Sequence, residues 1–74
     1  MTVLDRAKVA ATKLTSRFQT ERWWNGISID PTHDNQVGLY IHCKYPPPKF
    51  VIPSTFEGFR IIQVIESTIL NNKE

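Results

Sequence analysis

Gln36-Val37-Gly38-Leu39-Tyr40-Ile41-His42-Cys43-Lys44-Tyr45 is the stretch that most restricts what this chain can become. Val37, Leu39, Ile41, Cys43 and Tyr45 fall on one side of an extended backbone, and Gly38, Tyr40, His42 and Lys44 on the other. That is the period-two pattern of a strand with one buried face. A turn-rich segment precedes it and three consecutive prolines follow, so both limits are marked chemically. The alternation predicts a strand at 37–45 in the middle of a small sheet.

Its partners are read on either side. Gly26-Ile27-Ser28-Ile29-Asp30 alternates in the same way, with Ile27 and Ile29 inward, and the polar residues Pro31 to Asn35 separate the two runs. The spacing predicts an antiparallel hairpin with a strand at 26–30. Pro46-Pro47-Pro48 supplies no ladder donor and must carry the chain out of the sheet. Phe50, Val51, Ile52, Pro53 and Phe56 are expected to cover an open edge of the core before the Glu57-Gly58 turn. Residues 59–66 are rich in β-branched side chains and predict a third strand, although Ile61, Ile65 and Ile69 also match a helical spacing. Residues 67–70 read as a turn or frayed helical end, and 71–74 as a loose tail.

Ahead of the sheet, Leu4, Ala7, Ala11, Leu14 and Phe18 recur at helical steps, while Arg6, Lys8, Lys13 and Arg17 lie mostly off that stripe. Thr2 and Asp5 stand three apart, the spacing of a capping box. A helix is predicted at 3–19, and its alanines suit close approach to a flat surface. The fold class that follows is α+β: an amphipathic helix packed on a three-stranded antiparallel sheet, in one small domain covering 1–74.

Composition narrows the function classes. A chain of 74 residues has one modest core. Cys43 is the only cysteine, so no disulfide forms within one copy. Together with His33 and His42 it falls short of a structural zinc set, so no metal and no cofactor are expected. Self-association is the remaining common stabilising device, and a homodimer is among the expectations. The lone cysteine, an N-terminus interrupted by charges and the lack of a long apolar run predict a cytoplasmic protein with no membrane partner. The net charge of +2 is small, and the excess sits in residues 1–24 with Arg6, Lys8, Lys13, Arg17 and Arg22.

Candidate chemistry is sparse. Asp30, His33 and Asp34 form a carboxylate-imidazole cluster, but Asp30-Pro31-Thr32-His33-Asp34-Asn35 is also what a surface turn needs, and the turn reading is preferred. His42 and Cys43 are neighbours on a strand and point to opposite faces, which disfavours a thiol-imidazole nucleophile. Phosphate loops, nucleophile elbows, paired-carboxylate motifs and zinc spacings are lacking, so an enzyme is not expected. A helix covers one face of a sheet only, leaving Tyr40 and His42 on the other with one tryptophan. Two adjacent strand tryptophans face opposite ways, so one of Trp23 and Trp24 belongs to the core. The expected function is a non-enzymatic protein-interaction module, an adaptor, subunit or inhibitor of a larger protein, with Trp23, Trp24, Tyr40 and His42 as the candidate contacts. The alternative is nucleic-acid binding through Arg6, Lys13, Arg17 and Arg22 with the tryptophan pair for stacking. Tyr45 to Phe50 also has the form of a proline-groove ligand, though as a short loop it more simply sets the path between strands.

Asn25-Gly26-Ile27-Ser28-Ile29, Val37 to Ile41, Ile52-Pro53 and Phe56-Glu57-Gly58-Phe59-Arg60-Ile61 together resemble a short bacterial module found in some proteins associated with trypsin-like peptidases. In that module a Gly-Ile-Gly strand, a Val-x-Val-x-Val strand, a Leu-Pro and a Glu-Gly-hydrophobic-x-Val strand follow in this order. The resemblance spans residues 25–66 and rests on scaffold positions. It implies strands in a meander linked by a proline-bearing crossing, and no activity, because the serine-centred catalytic part of those proteins has no counterpart here.

Overall fold

The computed structural model describes residues 2–32 and 36–66. Helix α1 runs Val3–Phe18, and the strands are β1 Trp24–Pro31, β2 Val37–Cys43, β3 Thr55–Phe56 and β4 Phe59–Ile65. The helix starts where its chemistry says it should. Thr2 Oγ1 accepts the Asp5 amide at 3.1 Å, and Asp5 Oδ2 accepts the Thr2 amide at 3.4 Å, so two of the orphan donors of the first turn are satisfied reciprocally. Ala7, Ala10, Ala11, Leu14 and Phe18 form its buried stripe. The small alanines let the helix backbone approach β1 and β2, over which it lies. Helix and strands end within a few residues of where the sequence places them, and the residues expected to form a frayed end and tail (67–74) lie outside the described part.

The sheet corrects the expectation. It has four strands in the order β1-β2-β4-β3; β1 pairs antiparallel with β2, but β2 pairs parallel with β4, and β3 pairs antiparallel with β4. The expected three-stranded antiparallel meander is therefore a mixed four-stranded sheet. Length explains the difference. A parallel neighbour needs a long return path, and residues 44–54, stiffened by the three prolines, reach back along a β2 that is roughly 20 Å long at about 3.3 Å per residue. The chain then adds the two-residue β3 and reverses through Glu57 and Gly58, both at positive φ (51° and 85°), as a two-residue hairpin turn whose twist suits the strands.

The core lies between α1, the return segment and one face of the sheet. Leu14, Leu39, Ile41 and Cys43 are wholly enclosed, with Trp23, Ile52, Phe59 and Ile61 around them. Leu39 and Ile41 face the helix, and Tyr40 and His42 are on the other side, half-buried. Phe50 departs from its expected covering role: it stands 99% exposed at a φ of 65°, and Ile52 and Val51 fill the position instead.

Gly38 is required by close packing on the far face. A Cβ there would lie 2.7 Å from Thr32 Cγ2 and 3.0 Å from Ile62 Cδ1, and Thr32 is buried and anchored through its hydroxyl to Gln36. Gly38→Ala is expected to cost about 1–3 kcal/mol by overpacking, read as a lower urea midpoint with an unchanged slope.

Candidate functional site

Strand register decides which side chains meet on the uncovered face, the face of the sheet that no other described element covers. Gly26 is opposite His42, which is opposite Val64; Ser28 is opposite Tyr40, which is opposite Ile62. Because Gly26 has no side chain, the His42 ring has room on the β1 side and reaches the diagonal Ser28. A β-bulge between Trp24 and Gly26 then reverses the alternation at the start of β1. It turns Asn25 to the uncovered face and keeps Trp24 on the helix side.

The result is a polar row running from β1 across β2 to Glu66, the residue that follows β4. His42 Nε2 lies 2.9 Å from Ser28 Oγ and His42 Nδ1 lies 2.7 Å from Glu66 Oε2. Asn25 Nδ2 donates to Glu66 Oε1 at 2.6 Å, and Ser28 Oγ donates to Asp30 Oδ2 at 3.1 Å. A carboxylate only accepts, so Nδ1 carries a proton. When the ring also carries one on Nε2, it donates at both ends, the Ser28 hydroxyl donates to Asp30, and every contact in the row is made. With a neutral ring, Ser28 must choose between Nε2 and Asp30. Beside this row lie Tyr40, Ile62 and Val64, all half-buried, and the Tyr40 hydroxyl donates to the Pro31 carbonyl at 3.3 Å.

The bond from His42, then that from Asn25, holds the Glu66 carboxyl below the usual glutamate range, with the charge of His42 adding to the effect. A carboxylate whose folded-state pKa is depressed adds stability above its unfolded-state pKa and loses it as pH falls through the folded value. The row should therefore weaken as pH drops below the ordinary glutamate range. Urea midpoints followed from neutral pH downward are expected to fall more steeply in the wild type than in Glu66→Gln, which has no carboxylate left to titrate at that position.

Serine, imidazole and carboxylate in this order also form the skeleton of a general-base relay. Among the described residues, what surrounds Ser28 does not complete one. Its hydroxyl is shared with Asp30, and strand amides lie in the plane of the sheet, directed at neighbouring strands rather than toward a side chain above it. Cys43 stays on the opposite face in the core, where burial pushes the thiol up and the negative charge of Glu66 adds to the shift. Among the described residues no group of three His, Cys, Asp or Glu side chains is placed to hold a metal ion; His33 and Asp34 lie outside them.

Of the four expected contact residues, Tyr40 and His42 are brought together. Trp23 is 3% exposed and belongs to the core, while Trp24 is half-buried and stacks with Phe18, ring centroids 6.4 Å apart. The expectation that a tryptophan accompanies Tyr40 and His42 fails because of the bulge at Asn25. Arg6, Lys13 and Arg17 line one flank of α1, but Lys13 Nζ meets Glu57 Oε2 at 2.7 Å, Arg6 sits over the Phe59 ring and Arg17 over the Phe18 ring. Arg22 lies apart from them in a shallow cleft of about 590 Å³ walled by Trp23, Tyr45 and the three prolines. Sequence reading missed Ser28, Asn25 and Glu66. For Ser28 and Glu66 the signal available was alternation, which puts both on the side of His42, but the contact of Ser28 needs the register across the hairpin and that of Glu66 the parallel pairing; Asn25 reaches that side only through the bulge, which alternation does not show.

No family model matches the chain, and neither a curated protein nor a solved structure matches it significantly. No helix among the described residues is long and apolar enough to cross a membrane.

Proposed function

We propose that this chain is a non-enzymatic protein-interaction module, an adaptor, small subunit or inhibitor, whose partner docks on the uncovered face of the sheet. One observation carries the reading: α1 and the return segment occupy a single face, and the other presents Tyr40, Ile62 and Val64 half-buried beside an ordered polar row. An apolar centre with satisfied polar groups at its margin is the composition of an interface core and rim. Tyr40 is the anchor, since a rigid aromatic at the centre of a patch carries a large share of binding energy. The row fixes the orientation of His42 and offers the partner a defined set of donors and acceptors.

Incorporating a photo-crosslinking residue at position 40, and at exposed Ser16 as control, tests this in cells. The expected result is a discrete product specific to position 40, whose binding to the purified chain weakens by about 2 kcal/mol or more, roughly thirtyfold, in Tyr40→Ala. Identical products from both positions, or binding indifferent to Tyr40→Ala, contradict the proposal.

Nucleic-acid binding is the weaker alternative. Arg6, Lys13 and Arg17 share a flank, which favours it, but each is already engaged within the chain. Titration with labelled DNA and RNA at low salt decides it, because phosphate contacts give an affinity that falls steeply with added salt.

A further inference from the structure

The outer side of β1 has main-chain groups that no other described strand pairs with. β1 is the edge of the sheet. The Thr32 amide donates to the Gln36 carbonyl at 2.6 Å, one step past the Pro31–Val37 pair. Hydrogen-bonded pairs alternate along an antiparallel ladder, so Asp30 and Ser28 turn their main-chain groups toward β2, while Ile27 and Ile29 turn theirs outward. A segment with two outward residues separated by one is self-complementary. Placed against a second copy around a two-fold axis at Ser28, Ile27 meets Ile29 of the partner in a hydrogen-bonded pair, and Ile29 meets the partner's Ile27 in another. Asp30, the only charged residue of β1, falls opposite a glycine, so no like charges oppose each other.

Side chains agree with the backbone. Ile27 and Ile29 are half-buried on the helix side, and a cross-strand pair of β-branched residues is favourable there. Arg6 over Phe59 and Lys13 on Glu57 turn one flank of α1 toward the β3-β4 side. The opposite flank, with Leu4 at 49% exposure and half-buried Thr15, is therefore the one nearer β1. The bulge at Asn25 and the missing donor of Pro31 end the pairing on both sides, which favours a closed pair over an extending stack.

We infer that the β1 edge is a self-association site, taking β1 of a second copy in antiparallel register centred on Ser28. Two four-stranded sheets then join into one, and the two uncovered faces lie side by side. This does not depend on the reading of that face as a docking surface.

Ser28→Cys tests the register. Residues opposite one another in a non-hydrogen-bonded antiparallel pair have Cα atoms about 4.5 Å apart, within disulfide range. Under mild oxidation Ser28→Cys is expected to give a covalent dimer, while Ser16→Cys on the outer side of α1 does not, with buried Cys43 common to both. Ile29→Pro removes an outward amide that β2 does not use, and is expected to raise the dimer dissociation constant by roughly tenfold through the two bonds lost. A chain that sediments as a monomer up to about 1 mM, or a dimer in which position 28 cross-links no faster than position 16, overturns the inference. Dimerisation lost in Tyr40→Ala with no cross-link at 28 overturns it as well, and assigns the contact between copies to the uncovered face instead.

Discussion

Trp23→Ala is expected to remove about 3–5 kcal/mol of stability. A chain of 74 residues has roughly 4–11 kcal/mol in total at the usual stability per residue, so this variant should be largely unfolded or close to it. The reason is geometric. Trp23 is 3% exposed and packs against Phe18 at 5.4 Å between ring centroids, at the point where the chain leaves the helix and enters the sheet. The Trp23 carbonyl also accepts the Lys44 amide at 2.8 Å, so the cavity left by the indole opens where the first and second strands are tied together. Trp24→Ala, whose ring is only partly buried, should cost clearly less. Urea denaturation of both variants checks this, and equal losses would contradict the placement of the pair.

Ile41→Ala is the second large effect, at about 2–5 kcal/mol. Its side chain is wholly enclosed, beneath the helix, on the strand that Ile27 joins from one side and Gln63 from the other. Ala7, Ala10 and Ala11 of the helix belong to the same buried cluster, and side chains that small cannot extend to fill the space. Tyr40→Ala, one residue earlier on the other face, should change stability much less. A protein in which the two substitutions cost the same has no covered and uncovered side.

Much of the fold is legible because its signals are local. The alternation from Val37 to Cys43 sets which side of the central strand is buried, and Thr2 with Asp5 marks where the helix begins. What is not legible is the direction of pairing. Parallel and antiparallel strands share a period of two, so residues 59–65 look the same in either sheet, and only the reach of residues 44–54 separates the two arrangements. The two-residue third strand is too short to carry any pattern. The polar row is hidden for a related reason: Ser28, His42 and Glu66 lie 14 and 24 positions apart and meet only once register is fixed. The expectation of one tryptophan beside Tyr40 and His42 fails because alternation does not carry through Asn25, where one extra residue changes the side.

Among the described residues the sheet is shielded on one side alone, and two adjacent residues of β4 report on it directly. Ile61 is 8% exposed and faces the helix side, whereas Ile62 is half-buried on the other. Cysteine placed at each position in turn, and followed by the rate of modification with a thiol reagent under native conditions, should react readily at 62 and slowly at 61, with Cys43 unreactive in both. Faster modification at 61 than at 62 would mean that the two faces are exchanged and that Tyr40 belongs to the interior.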